Sequence, residues 1–239
     1  DVLLTTCVLL ALHGVLDLDQ SNYRRGMGVL ALGMGLGILA KGPVMLLDIG
    51  FIILLGPWWS AGAAARKGQW YGCALGALVA GVLLGLAWAI PAAWIGGESY
   101  AQAIFLHQTV DRMSQSFAHR RPFWWYLVVL PLMILPWPLV MRTSLAAWRT
   151  TLQMRATRFA LAWIAPTFLM FSLVSGKQPH YLLPMLPGVA LLLALLAENN
   201  ATRWRGGMLG LLVLLFGALL LALPFLTVLG DAVPGLAQT

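Results

Sequence analysis

Apolar runs near 20 residues in length follow one another along this 239-residue chain. A run of that size crosses a hydrocarbon core of about 30 Å as α-helix, and a helix satisfies its own backbone polar groups where no water can. The runs fall at 2–18, 27–40, 43–60, 71–95, 123–141, 159–175, 181–197 and 207–229. Charged residues make up 10% of the chain, against roughly 25% in a soluble domain. The sequence predicts an all-α polytopic transmembrane helix bundle of about eight spans, with residues 1–239 forming one domain.

The stretch 27–60 decides how the chain threads the membrane. As one helix it would be roughly 50 Å long at 1.5 Å per residue, too long for a bilayer. Broken at Lys41-Gly42-Pro43 it becomes a short hairpin, and Pro43 supports the break because proline removes a donor and disfavours helix in the preceding residue. The hairpin also sorts the 15 Lys and Arg residues. Arg24, Arg25, Arg66, Lys67, Arg142, Arg149, Arg155, Arg158, Arg203 and Arg205 fall on one side, where the positive-inside rule places the cytoplasm. Lys41, Arg112, Arg120, Arg121 and Lys177 fall on the other, each in a short motif rich in Gly, Pro, His or Tyr. A single span through 27–60 abolishes that bias. The net charge of +7 is thus a topology signal. No Lys/Arg run interleaves with aromatics, so no nucleic-acid partner is expected.

Five cations on the non-cytoplasmic side suggest an anion held there. In Ser175-Gly-Lys177-Gln-Pro-His180-Tyr181, Gly176 and Pro179 break one helix and start the next, leaving Lys177 and Tyr181 at the membrane edge. A point cation and a hydroxyl donor both suit a phosphate oxygen. They equally suit a snorkelling Lys beside an interfacial Tyr. Upstream, Ile104, Leu106, Val110, Met113 and Phe117 share one face over 100–117, which predicts an amphipathic helix lying on the outer surface of the membrane. Arg112 and His107 belong to its polar part. His119-Arg120-Arg121-Pro122 then enters the aromatic belt Phe123-Trp-Trp-Tyr126. Arginine can grip a phosphate in bidentate fashion, and lipid headgroups are the competing partner for Arg120 and Arg121. His107 and His119 are possible metal ligands or plain surface groups.

Asp1 stands at the outer end of the first run, where its carboxylate suits a base or a ligand. The chain opens there without Met and is read as lacking an N-terminal part. Asp48 lies inside an apolar run and must face the bundle interior or a partner, His13 also lies in a run, and for both a satisfied interior polar group is the expected reading. Gly28, Gly33, Gly35 and Gly37 read as sites of close helix packing. Cys7 and Cys73 both sit in apolar runs and imply no disulfide framework.

Taken in order, Asp1-Val-Leu-Leu-Thr, Gly37-Ile-Leu-Ala-Lys41-Gly-Pro-Val, Thr109-Val-Asp-Arg112 with His119-Arg-Arg-Pro-Phe-Trp-Trp-Tyr126, and Ser175-Gly-Lys177-Gln-Pro-His-Tyr181-Leu-Leu-Pro184 resemble the polytopic GT-C glycosyltransferases of the protein O-mannosyltransferase and aminoarabinose transferase superfamily. Such enzymes move a sugar from a polyprenyl-phosphate donor to a lipid or protein acceptor. The resemblance implies a multi-pass protein of the bacterial inner membrane with its active site facing the periplasm. It implies that Lys41, Arg112, Lys177 and Tyr181 hold the carrier phosphate, with His107, His119, Arg120, Arg121 and His180 as additional candidates. It matches Asp1 to an acidic catalytic position. It also implies a divalent metal ion, for which the nearest candidate, His107, does not align cleanly. The family's first outer loop, with its acidic residues, would precede Asp1, so the chain by itself is expected to be inactive. The competing class is a transporter or flippase for an anionic lipid or solute, since broken apolar helices with membrane-level cations also build transport sites. Transporters usually pair two halves around the midplane, and no second half mirrors the Lys41 hairpin here.

Overall fold

The computed structural model describes residues 1–102, 121–198 and parts of 202–222. The expected amphipathic helix, together with His107, Arg112, His119 and Arg120, lies outside the described residues. The rest is built almost entirely of helix, as the apolar runs require. Among the described residues four helices are long and apolar enough to cross a membrane: Val2–Asp19, Lys67–Gly97, Arg155–Leu173 and Pro179–Ala197.

Helix α1 (Val2–Asp19) and helix α2 (Tyr23–Lys41) form an antiparallel pair joined by a tight turn. Their axes meet closely because side chains are missing where they touch. A Cβ on Gly33 would lie 2.5 Å from the Ala11 nitrogen, and one on Gly26 would lie 2.8 Å from the Leu18 nitrogen. On the next face of α2, Gly35 abuts Gly81 of helix α6 (Lys67–Gln102). Gly37 makes room for Met45. The expected glycine packing therefore holds at Gly33, Gly35 and Gly37. Gly28 is the exception, with nothing within 4 Å of its would-be Cβ. Leu4, Val8, Ala11 and Val15 face the core from α1 at helical spacing.

The hairpin falls where expected. Gly42 adopts φ 69° and ψ −150°, a conformation that glycine reaches without steric cost, and helix α3 (Val44–Leu54) starts directly after Pro43. With 11 residues α3 is roughly 16 Å long, about half the thickness of a hydrocarbon core. Pro57 and Gly56 break the run there, giving two short helices, α4 (Gly56–Trp59) and α5 (Ala61–Ala65), where the sequence predicted one segment over 43–60. The carbonyls freed at the end of α3 find indole and phenol donors. Trp59 Nε1 donates to Ile52 at 2.9 Å, Trp70 Nε1 to Ile53 at 3.0 Å and Tyr71 Oη to Leu54 at 2.9 Å. Helix α6 turns Leu75, Val79, Leu83, Trp88, Trp94 and Ile95 outward, an apolar face suited to lipid.

The expected span 123–141 is not one helix. Helix α7 (Trp125–Met133) and helix α8 (Trp137–Val140) are separate, because Pro136 and Pro138 each remove a donor in the middle of the run. The link that follows holds a short helix, α9 (Leu145–Thr151). It also holds strand β1 (Met141–Thr143), which pairs antiparallel with β2 (Thr202–Trp204) and sets Arg142 opposite Arg203. No alternation in the sequence announces that ribbon. Helix α10 (Arg155–Leu173) precedes the Lys177 loop. After the loop a 3-10 turn (Pro179–Met185) leads into helix α11 (Leu186–Ala197).

Candidate functional site

One end of the bundle gathers the start of α1, the end of α2 and the loop after α10. Asp1 receives an ion pair from Lys41 through Oδ1, and its Oδ2 lies 3.2 Å from Nε2 of His180. The Lys41 ammonium also sits 4.7 Å from the ring centroid of Tyr181. His180 and Tyr181 meet edge-on at 4.8 Å. The fold thus brings together Asp1, Lys41, His180 and Tyr181, four of the predicted site residues drawn from three separate segments. Tyr181 meets Lys41 with its ring face, a cation–π contact, where the sequence reading assigned its hydroxyl to a phosphate.

Asp1 is the first residue before helix α1, yet its side chain caps nothing. Its backbone carbonyl accepts from the Thr5 amide at 2.9 Å and the Thr5 hydroxyl at 3.0 Å, while the carboxylate makes no capping hydrogen bond. With its side chain only 8% exposed, the carboxylate is committed to Lys41 through Oδ1, and Oδ2 beside His180 has no hydrogen-bond partner among the described residues.

Lys177 sits in the same loop with its ammonium turned inward. It donates to the Val174 carbonyl and, at 3.2 Å, to the Arg121 carbonyl, and the residue is 3% exposed. Desolvation by burial pushes its pKa below the ordinary lysine value. Arg121 is exposed, with its backbone amide on the Ser175 carbonyl at 3.2 Å and its guanidinium 5.8 Å from the Trp125 ring. Lys177 therefore ties the 121 segment to the 174–177 loop beside the Asp1–Lys41 cluster.

Tyr126 is the residue that sequence reasoning missed. It was read as part of an interfacial belt, but it is fully buried and its hydroxyl donates 3.0 Å to the Gln178 carbonyl. The only signal was a lone Tyr ending a Phe-Trp-Trp run, which is equally a belt signature.

The opposite end carries the other cations. Arg25 pairs with Asp17 at 3.2 Å, Arg155 pairs with Asp19, and Arg66 reaches the Tyr23 hydroxyl at 3.3 Å. His13 is not the interior group that was expected: its side chain is 54% exposed, and its Nε2 lies 3.1 Å from the Arg25 guanidinium. Asp48 departs from expectation: it is fully buried, and neither carboxyl oxygen has a hydrogen-bond partner among the described residues.

Membrane-length helices with an ion-paired polar cluster at one end define a polytopic α-helical membrane protein. Over 218 residues the chain is 31% identical to the undecaprenyl phosphate-alpha-4-amino-4-deoxy-L-arabinose arabinosyl transferase of Edwardsiella ictaluri, a match covering 86% of this chain and 39% of that protein. It is 34% identical over 185 residues to the transferase of the same name, numbered 1, from Sodalis glossinidius, covering 76% of this chain and 32% of that protein. The Serratia proteamaculans transferase is 34% identical over 131 residues, 54% of this chain and 23% of that protein. The chain is a homologue of part of these transferases, matching them over most of its own length. It spans well under half the length of the curated relatives it matches. No family model matches the chain. No solved structure matches it either.

Proposed function

We propose that this chain forms the donor-phosphate end of a polyprenyl-phosphate-dependent glycosyltransferase of the bacterial inner membrane. The observation that carries this reading is the meeting of Lys41, Asp1, His180 and Tyr181 at one end of the bundle, away from Arg25, Arg66 and Arg155. The topology that fits is about eight spans, with the α2–α3 hairpin entering from the periplasm and the Lys41 end facing that side. The donor class follows the relatives' names: an undecaprenyl phosphate carrying an amino sugar. The acceptor is a lipid or a protein.

In the reaction an acceptor oxygen bonds to the sugar C1 as the bond from C1 to the carrier phosphate breaks. A carboxylate other than Asp1 takes the acceptor proton, since Asp1 is paired with the cation that meets the leaving phosphate and so lies on the leaving-group side of C1. The departing phosphate gains negative charge, and a preorganised cation in a dry site stabilises it more than water does. Lys41 is placed for that role, a point cation on a flexible stem that can leave Asp1 for a phosphate oxygen. Lys177 supports the same site by holding the two loop segments together, and Arg121, exposed beside it, is free to meet the phosphate or a lipid headgroup. Arg112, His107, His119 and Arg120 belong to the same proposed face.

A divalent metal ion, implied by the family resemblance, finds few ligands here. Among the described residues no three His, Cys, Asp or Glu side chains come together. Asp1 and His180 supply one oxygen and one nitrogen donor, fewer than zinc or a hard divalent cation takes from protein. No step is derived through a metal.

The test is sugar transfer from the polyprenyl donor by the full-length protein in liposomes. Lys41→Gln should lower the rate by about 100- to 1000-fold, the size of losing one preorganised charge-stabilising group. Undiminished transfer rejects the assignment. Solute flux through the same liposomes, with no transfer, would favour a transporter.

A further inference from the structure

A phosphate site gains nothing from a carboxylate locked onto its cation. Asp1 competes with the phosphate for Lys41 and repels it once it has arrived. The carboxylate is not there to cap α1, since its side chain makes no capping bond. It is held at Oδ1 by Lys41, while Oδ2 is buried, 3.2 Å from the His180 ring nitrogen, with no hydrogen-bond partner among the described residues. It is oriented and largely shielded, while His180 remains 48% exposed at the mouth of the cluster.

The contradiction disappears when the ligand headgroup carries both signs. We propose that Asp1 reads the positive charge of an amino sugar on the donor, an inference that rests on the phosphate role of Lys41 given above. In the resting site Lys41 and Asp1 neutralise each other. When the donor arrives, its phosphate takes Lys41 and its sugar ammonium takes the released Asp1. One internal ion pair becomes two intermolecular ones, and neither charge is left unpartnered in the low-dielectric site. A neutral sugar on the same carrier takes Lys41 but leaves Asp1 without a cation, so it is rejected. His180 lies beside the carboxylate and carries no net specificity of its own.

The experiment uses the full-length protein in nanodiscs and three ligands: bare undecaprenyl phosphate, the same carrier bearing 4-amino-4-deoxyarabinose, and that donor with its amine formylated. The wild type should bind the free-amine donor about tenfold or more tightly than the formylated one, the scale of a charge-assisted hydrogen bond. Asp1→Asn should bring that ratio close to one. The same variant should bind bare undecaprenyl phosphate as tightly as the wild type or more tightly, because Lys41 has lost its competitor. A merely structural Asp1 would weaken all three ligands together, and that result overturns the proposal, as does an amine preference that survives in Asp1→Asn. If the wild type binds bare carrier but shows no amine preference, this inference fails while the phosphate site stands. If it binds no bare carrier, the phosphate site itself fails.

Discussion

The hydroxyl of Tyr126, on α7, donates 3.0 Å to the backbone carbonyl of Gln178, 52 residues further on. This bond and the two carbonyl contacts of Lys177 hold the 174–181 loop against the segment entering α7. His180 and Tyr181 follow directly, so the position of the polar cluster depends on this fastening. Tyr126→Phe removes the donor while the Gln178 carbonyl keeps the Tyr181 amide at 3.1 Å, so the cost is that of one hydrogen bond, about 0.5–1.5 kcal/mol. The expected result is a lower melting temperature in detergent and a raised KM for the donor, with kcat falling less. Unchanged values of both would show that the loop is held by other contacts.

Lys177 makes a signed prediction about pH. Burial lowers its pKa below the ordinary value of 10.5, so the folded state binds the proton less well than the unfolded state does. Below the folded pKa both states are charged and the desolvation penalty is present in full. As pH rises from the folded pKa towards 10.5, the folded state sheds its proton first and the penalty is relieved. The difference in thermal stability between wild type and Lys177→Gln should therefore shift in favour of the wild type as pH is raised through that window. A difference that is flat up to pH 10.5 contradicts the buried placement.

The glycines of α2 give a paired test of helix packing. Gly33→Ala puts a methyl 2.5 Å from the Ala11 backbone and should destabilise the protein by about 1–3 kcal/mol. Gly28→Ala meets nothing within 4 Å and should be neutral or stabilise by about 0.5–1 kcal/mol through helix propensity. Denaturation midpoints in mild detergent separate the two. Equal effects would mean that α1 and α2 are not in van der Waals contact at Gly33.

The proposed orientation predicts which engineered cysteines a membrane-impermeant maleimide reaches from the periplasm. In intact spheroplasts, Ser175→Cys should be labelled and Thr150→Cys should not, with both labelled after permeabilisation. The reverse pattern would invert the topology and remove the site from the periplasm.

Some of this was legible in the sequence because single residues forced it. Gly42 and Pro43 dictate a chain reversal in any environment, so the hairpin and the placement of Lys41 could be read directly. The spacing of apolar runs and the sorting of cations likewise brought Asp1, Lys41, His180 and Tyr181 to one end before any coordinates. What stayed hidden depends on partners distant in the chain. The breaks at Pro57 and Pro136 sit in runs whose composition is that of a full span. The inward turn of Lys177 is set by carbonyls of Val174 and Arg121, and a snorkelling lysine and a buried one have the same sequence. The Met141–Thr143 ribbon is three residues long, too short for a period-two pattern to show.

The central claim, that Lys41 grips the carrier phosphate, is tested most directly by 31P NMR of undecaprenyl phosphate in nanodiscs containing the full-length protein. The account predicts a saturable phosphate shift with the wild type that Lys41→Gln abolishes or weakens at least tenfold, the order of a lost charged hydrogen bond. A shift of equal size and affinity in Lys41→Gln would contradict it.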